Sequence, residues 1–228
     1  MKLDDLIDIC KEKKCISLVG GGGKTTLMYV LAGKLSEAGK RVLVSTTTHI
    51  RIPDSNYAEN ADDVDKLWNE HTYAVIGTID GEKLTFPSKE LWDAIDADII
   101  LLEADGAKCH PFKVPADHEP VIFKDSDLVI GVMGMTAMGK SLSECCFRFD
   151  TNGQWLGDDK LIDENVAATV LASKKGTKKN VEDRDYIVVL NQCDNNELEE
   201  KASKIKTILD GEYGIQALSC CLRDITNA

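Results

Sequence analysis

The sequence predicts an α/β fold in which a mainly parallel sheet is covered by helices. Three observations carry this expectation. Residues 15–19 form a short apolar run that ends in four glycines. Residues 24–38 then place Leu27, Val30, Leu31, Leu35 and Ala38 at helical period, and Gly39 stops that helix. Residues 41–45 supply a second β-branched run. Strand, helix and strand in this order give a right-handed crossover between parallel strands.

The later elements obey the same logic. Residues 73–79, 99–102, 128–132 and 186–190 read as strands, and residues 162–171 and 198–209 repeat at helical spacing. The segment around Gly81, with residues 82–86 beyond it, is a candidate for a small antiparallel hairpin insertion. Residues 152–159 are polar and contain glycine. No interdomain linker or internal repeat interrupts the chain. With 228 residues and 43% apolar content, it is expected to form one domain over residues 1–228 around one substantial core.

Charge and composition remove several function classes. A formal net charge of −12 argues against a surface that tracks nucleic-acid phosphates, which needs clustered Lys and Arg. No apolar run approaches the roughly 20 residues of a membrane span, and residues 1–10 mix charged and apolar side chains. A soluble, cytoplasmic protein is expected, with neither nucleic acid nor membrane as partner. The eight cysteines show no Cys-x-x-Cys spacing and read mainly as reduced thiols. The adjacent pairs Cys145/Cys146 and Cys220/Cys221 are poor chelators, because side chains at i and i+1 diverge on regular elements.

The strongest chemical signal lies between the first strand and the first long helix. A backbone that surrounds phosphate oxygens must have no side chains in the way, and a helix N-terminus adds oriented dipoles. Gly20, Gly21, Gly22 and Gly23 leading into Lys24, Thr25 and Thr26 meet both needs. Lys24 is then placed for the β/γ phosphates of ATP or GTP, Thr25 for a magnesium ion and Thr26 for the α phosphate. This gives a P-loop NTPase-like three-layer sandwich as the specific form of the fold. The loop departs from G-x-x-x-x-G-K-[ST], since Leu18 stands where the first glycine belongs. Its shortened G-x-x-G-K-T-T form is similar to the phosphate loop of Mur-type ligases, which keeps ligase chemistry open.

The full pattern occurs elsewhere, at Gly134-Met-Thr-Ala-Met-Gly-Lys-Ser141, after the strand predicted at 128–132. The chain beyond Ser141 lacks a long amphipathic helix and a prompt second strand. The βαβ context that gives the motif its meaning is missing, so Lys24 is preferred to Lys140.

Other candidates cluster at predicted strand ends, the edge where open α/β sheets bind ligands. Thr46, Thr47, Thr48 and His49 come directly after the second strand; they are either substrate or magnesium contacts, with His49 as a general base, or turn hydroxyls and a surface histidine. The run 97–106 (ADIILLEADG) resembles a Walker B strand. Glu103 and Asp105 share a face at period two, with Asp105 as magnesium ligand beside Thr25. Lys108, His110, Lys113, His118 and Glu119 lie in a Pro-interrupted stretch that reads as a substrate or partner loop. Asn191-Gln-Cys-Asp194 resembles the N-K-x-D base-recognition motif of GTPases, with Asn191 and Asp194 retained and Gln192 in place of the lysine. Ala217-Leu-Ser219 falls where a second base-contacting loop belongs.

Taken in order, GGGGKTT, STTTH, EADGAK with a following HEP, and NQCD resemble the YqeC family, described as accessory proteins of selenium-dependent molybdenum hydroxylases. The resemblance spans essentially the whole chain. It implies a magnesium- and nucleotide-dependent factor that helps mature a molybdenum hydroxylase, with that enzyme or its cofactor-maturation proteins as partners. It also implies that Lys24, Thr25, Glu103, Asp105 and His118 belong to the site. The residues leave two alternatives open: a small-molecule kinase or ligase, and a nucleotide-gated chaperone or scaffold without significant turnover.

Overall fold

A computed structural model describes residues 1–222. Its main sheet has seven strands, all parallel: β1 (Cys15–Gly20), β2 (Val42–Thr46), β3 (Ala74–Val75), β4 (Ile99–Glu103), β5 (Leu128–Gly134), β6 (Asp185–Asn191) and β7 (Gln216–Ser219). Across the sheet they run β7-β6-β5-β1-β4-β2-β3. The chain leaves β1 towards one edge, returns to insert β4 beside β1, and then builds the other half from β5 onwards. β1 therefore lies where the order reverses, flanked by β4 and β5 in register, with Leu18 opposite both Glu103 and Ile130. In open α/β sheets such a reversal leaves a crevice at the carboxyl ends of the strands.

Alternation along the strands creates the three layers. Ile16 and Leu18, Val42 and Val44, Ile99 and Leu101, Ile130 and Val132, and Ile187 and Val189 pack on one face. They meet Leu6 and Cys10 of helix α1 (Leu3–Lys11) and Leu27, Leu31 and Leu35 of helix α2 (Lys24–Glu37). The other face presents Met133, Val188 and Leu190 to helices α4 (Glu164–Ala172) and α5 (Asn196–Tyr213), and Leu43 to helix α3 (Ala61–Asn69). The architecture is a P-loop NTPase-like α/β sandwich with a parallel sheet.

Local chemistry sets the boundaries. Asp163 caps α4 by accepting from the Val166 amide at 2.8 Å, and Asn195 caps α5 by accepting from Leu198 at 3.0 Å. Gly214 ends α5 in the left-handed conformation. The expected strand 73–79 is split. Only Ala74–Val75 joins the sheet, while Thr78–Asp80 turns back at Gly81 against Lys83–Thr85 to form the hairpin, extended by Ile50–Arg51. Gly77 makes the break: a Cβ there would stand 2.7 Å from the Thr85 carbonyl oxygen. Helices α1 and α3 and strand β7 are additions to the elements expected from sequence.

The lower half of the three-layer core depends on α2. Replacing Leu31, which is fully buried, by Ala is expected to cost about 2–5 kcal/mol. The check is urea unfolding, where the midpoint should fall with an unchanged slope.

Candidate functional site

The glycine loop joins the end of β1 to the start of α2. Gly20, Gly22 and Gly23 have φ of 100°, 76° and 111°, in the region that favours glycine. The loop is also crowded. A Cβ on Gly22 would lie 2.1 Å from the Gly134 nitrogen, and one on Gly23 would lie 2.4 Å from Asn191 Nδ2. Asn191 Nδ2 donates to the Gly22 carbonyl at 2.8 Å, so the end of β6 pins the loop. The first backbone bond of α2 runs from Leu27 to the Gly23 carbonyl, which leaves the amides of Lys24, Thr25 and Thr26 ahead of the helical ladder. Earlier amides are used within the protein: Gly21 donates to Val132 and Gly22 to His110, at 2.9 and 3.0 Å.

Lys24 points back under this loop. Its Nζ donates to the Gly20 carbonyl at 2.8 Å and lies 3.2 Å from Asp105 Oδ1 and 3.8 Å from Glu103 Oε1. Glu103 is the last residue of β4, and Asp105 stands two residues further on the same face, so one strand end delivers both acids to one ammonium. Burial works against the Lys24 charge, but the carboxylates of Asp105 and Glu103 outweigh it and hold its pKa above the ordinary lysine value.

Thr25 and Asp105, the magnesium ligands expected from sequence, take different partners in the fold. The Thr25 hydroxyl donates to Glu103 Oε2 at 2.5 Å, whereas Asp105 accepts from the Gly20 amide at 3.1 and 3.2 Å and faces Lys24 and Lys113. Two hard oxygen donors, Thr25 Oγ1 and the Glu103 carboxylate, therefore meet at the N-terminus of α2.

Beyond Asp105 the charges continue. Lys113 Nζ is 3.0 Å from Asp105 Oδ2 and 2.6 Å from Glu119 Oε2, and it donates to the Gly106 carbonyl at 2.5 Å. Glu119 is paired in turn with Arg148. Lys113 sits in Phe112–Lys113, which is bridged in parallel to Cys146–Phe147. Sequence places Lys113 only within a candidate loop and gives Arg148 no role. Both carry a signal all the same: each cation lies between apolar neighbours, in Phe112-Lys-Val114 and Phe147-Arg-Phe149.

The remaining candidates are dispersed. The Thr46 hydroxyl donates to the Glu103 carbonyl at 2.8 Å and the Thr47 hydroxyl to the Val121 carbonyl at 2.6 Å, long-range bonds that tie strand ends together; Thr48 Oγ1 lies 3.4 Å from that of Thr46. His49 is exposed, with Nε2 3.8 Å from Asp80 of the hairpin. Lys108 is exposed, its Nζ 5.6 Å from the Phe147 ring centre, and His118 is exposed beside buried Glu119. Asp194 lies after β6 and accepts from Cys221 Sγ at 3.0 Å, while Cys193 donates its amide to Cys220. The 191–194 and 219–221 segments thus adjoin. Gln192 accepts from Thr136 at 2.6 Å.

The rival motif forms no phosphate loop. Met135–Ala137 is a single 3-10 turn, Lys140 is exposed, and Ser141 caps a four-residue helix, Leu142–Cys145. Among the described residues no two cysteines are joined by a disulfide, and no group of metal-binding side chains is found. Burial pushes the thiols of Cys10, Cys146, Cys193 and Cys220 up to about 12. No helix among the described residues is long and apolar enough to cross a membrane.

A glycine loop opening a helix at the reversal point of a parallel sheet, with a lysine and two acids beneath it, defines a P-loop NTPase-like protein in fold. Residues 16–150 match the YqeC protein family. A protein of Escherichia coli (strain K12), named "Uncharacterized protein YqeC", is 36% identical over 151 residues, which cover 60% of this chain and 59% of that protein. The chain belongs to the YqeC family.

Burial raises the Glu103 carboxyl above the ordinary carboxylate range, against the opposing pull of Lys24 and Thr25. The folded state then holds that proton more tightly than the unfolded chain. The stability it contributes is complete below the ordinary carboxylate pKa and is lost as pH rises through the folded value. Glu103→Gln is therefore expected to melt a few degrees higher at neutral pH, about 1 kcal/mol corresponding to roughly 2–4 °C for this size. The gain should vanish as pH falls into the ordinary carboxylate range. A lower melting point at neutral pH would mean that pairing with Lys24 outweighs burial.

Proposed function

We propose that this protein binds a magnesium nucleoside triphosphate at Gly20–Thr26 and hydrolyses it while acting as a maturation factor for a selenium-dependent molybdenum hydroxylase. The observation that carries the nucleotide reading is the convergence of Lys24, Thr25 and Glu103 at the N-terminus of α2. An anion there meets the amides of Lys24, Thr25 and Thr26, the positive end of the helix and a charged ammonium. The pathway rests on the likeness of GGGGKTT, STTTH, EADGAK, HEP and NQCD to the family.

The donor set suits magnesium, a hard cation that prefers oxygen ligands and takes few of them from protein. Thr25 and Glu103 would hold it, and it would supply charge neutralisation to the phosphates. The chain's own contribution is positioning: Asn191 fixes the loop, and Lys24 exchanges carboxylates for phosphate. The base is assigned to the junction of 191–194 with 219–221, where Asp194 discriminates guanine from adenine by accepting its N–H groups.

A second reading, a nucleotide-gated binding module without turnover, is favoured by the Gly22 amide. It is held by the His110 carbonyl, so a phosphate that took this amide as well would release the 106–119 segment, as a partner-signalling device requires.

Calorimetric titration with non-hydrolysable ATP and GTP analogues plus magnesium tests the site. Lys24→Ala should weaken binding roughly 100-fold or more, equivalent to about 2.7 kcal/mol, whereas Lys140→Ala should leave it unchanged. The reverse pattern would overturn the assignment.

Thr25→Ala should bind nucleotide at least about tenfold more weakly in magnesium than the unmodified protein, and equally in EDTA. Phosphate release from ATP or GTP separates the readings, since measurable turnover excludes the pure binding module.

A further inference from the structure

The buried charges beyond Lys24 have no part in the contacts just assigned to nucleotide, yet they form an unbroken chain. Lys24 meets Asp105, Asp105 meets Lys113, Lys113 meets Glu119, and Glu119 meets Arg148. Apart from Arg148, whose side chain is 25% exposed, these groups are almost fully shielded from water. With Glu103 included, three cations balance three carboxylates. Burial on this scale is costly unless each charge keeps its partners.

The two ammonium groups differ in how firmly they are held. An ammonium has three N–H donors. Lys113 places all three against oxygens within 3.0 Å, those of Gly106, Glu119 and Asp105. Lys24 has two close partners, Gly20 and Asp105, and a third at 3.8 Å. Lys24 is the one that can be surrendered to an incoming anion. Asp105 can let it go because Lys113 and the Gly20 amide remain to satisfy the carboxylate.

We infer that Lys113 is a positioning residue that governs anion affinity at the glycine loop. It competes with Lys24 for Asp105, and Glu119 and Arg148 set how strongly it competes. The inference rests on the nucleotide reading of this site and adds its regulation. The relay leads from the glycine loop to the partly exposed Arg148, which is 4.9 Å from the Phe147 ring centre. A partner or modification that perturbs Arg148 would thereby tune Lys24 without touching the nucleotide.

The relay makes predictions of opposite sign. Lys113→Met leaves Asp105 with Lys24 and the Gly20 amide, and should weaken binding of the non-hydrolysable magnesium ATP and GTP analogues roughly tenfold. Glu119→Gln frees Lys113 to engage Asp105, and should tighten binding roughly threefold or more. Damage to the fold would weaken both. Plain long-range electrostatics would give the same two signs, but additively.

The double variant Lys113→Met/Glu119→Gln decides between them. In the relay, Glu119→Gln has no effect once Lys113 is gone, so the double variant should bind like Lys113→Met. Circular dichroism melts check folding. If Lys113→Met does not fold, Arg148→Met tests the relay from its far end: binding should weaken about threefold, and the loss should disappear in the Glu119→Gln background. Additive effects, or no change, with normal binding by the unmodified protein would overturn this inference alone. Failure of the unmodified protein to bind either analogue would overturn the nucleotide reading and the relay with it.

Discussion

The attraction between Lys24 and the two acids at the end of β4 is the interaction on which the rest of the site depends. Glu103 and Asp105 are buried, and a buried carboxylate without a partner is expensive. Lys24 supplies one counter-charge and Lys113 another, while the Gly20 amide and the Thr25 hydroxyl complete the coordination. The glycine loop is thereby held in its curved form from beneath. Asn191 holds it from the side, and Gly134 fills the space against Gly22.

This arrangement arises from where β1 sits. β4 and β5 flank it directly, so the end of β1 has the acids of β4 on one side and the Gly131–Gly134 end of β5 on the other. Side chains at Gly20 or Gly22 would collide with the backbone of β5, at Val132 and Gly134. The same closeness explains why Gly134 opens a motif with the right spelling and the wrong role. It is a packing glycine for the first loop, and the chain after it makes a short turn instead of a phosphate-binding helix.

The segment from Gly106 to Glu119 links this centre to the rest of the molecule. Its Phe112–Lys113 bridge to Cys146–Phe147 brings a lysine from one connection and an arginine from another onto the same carboxylate. The hydroxyl run after β2 has a different fate. Thr46 and Thr47 spend their hydroxyls on the carbonyls of Glu103 and Val121, tying the ends of β2, β4 and the HEP segment together. Residues that look chemically versatile in sequence can be consumed by tertiary packing, because a hydroxyl near a strand end readily finds a backbone partner on a neighbouring element.

The sequence by itself determined the elements whose signal is local. Periodicity in 24–38 specified α2, β-branched runs specified β1, β2, β4, β5 and β6, and glycine before Lys-Thr-Thr specified the loop. Each depends on neighbours within one or two turns. The same local logic put Glu103 and Asp105 on one face and set Lys140 aside. It does not reach α1 and α3, whose polar faces mask short apolar stripes, or β7, which is only four residues long. Tertiary structure alone decided the partners. That Thr25 meets Glu103 and not Asp105, that Asn191 reaches the Gly22 carbonyl, and that Lys113 and Arg148 close a charge relay are long-range facts. Ion pairs and hydrogen bonds are set by ångström-scale distances between residues far apart in the chain, and no spacing along one strand or helix encodes them.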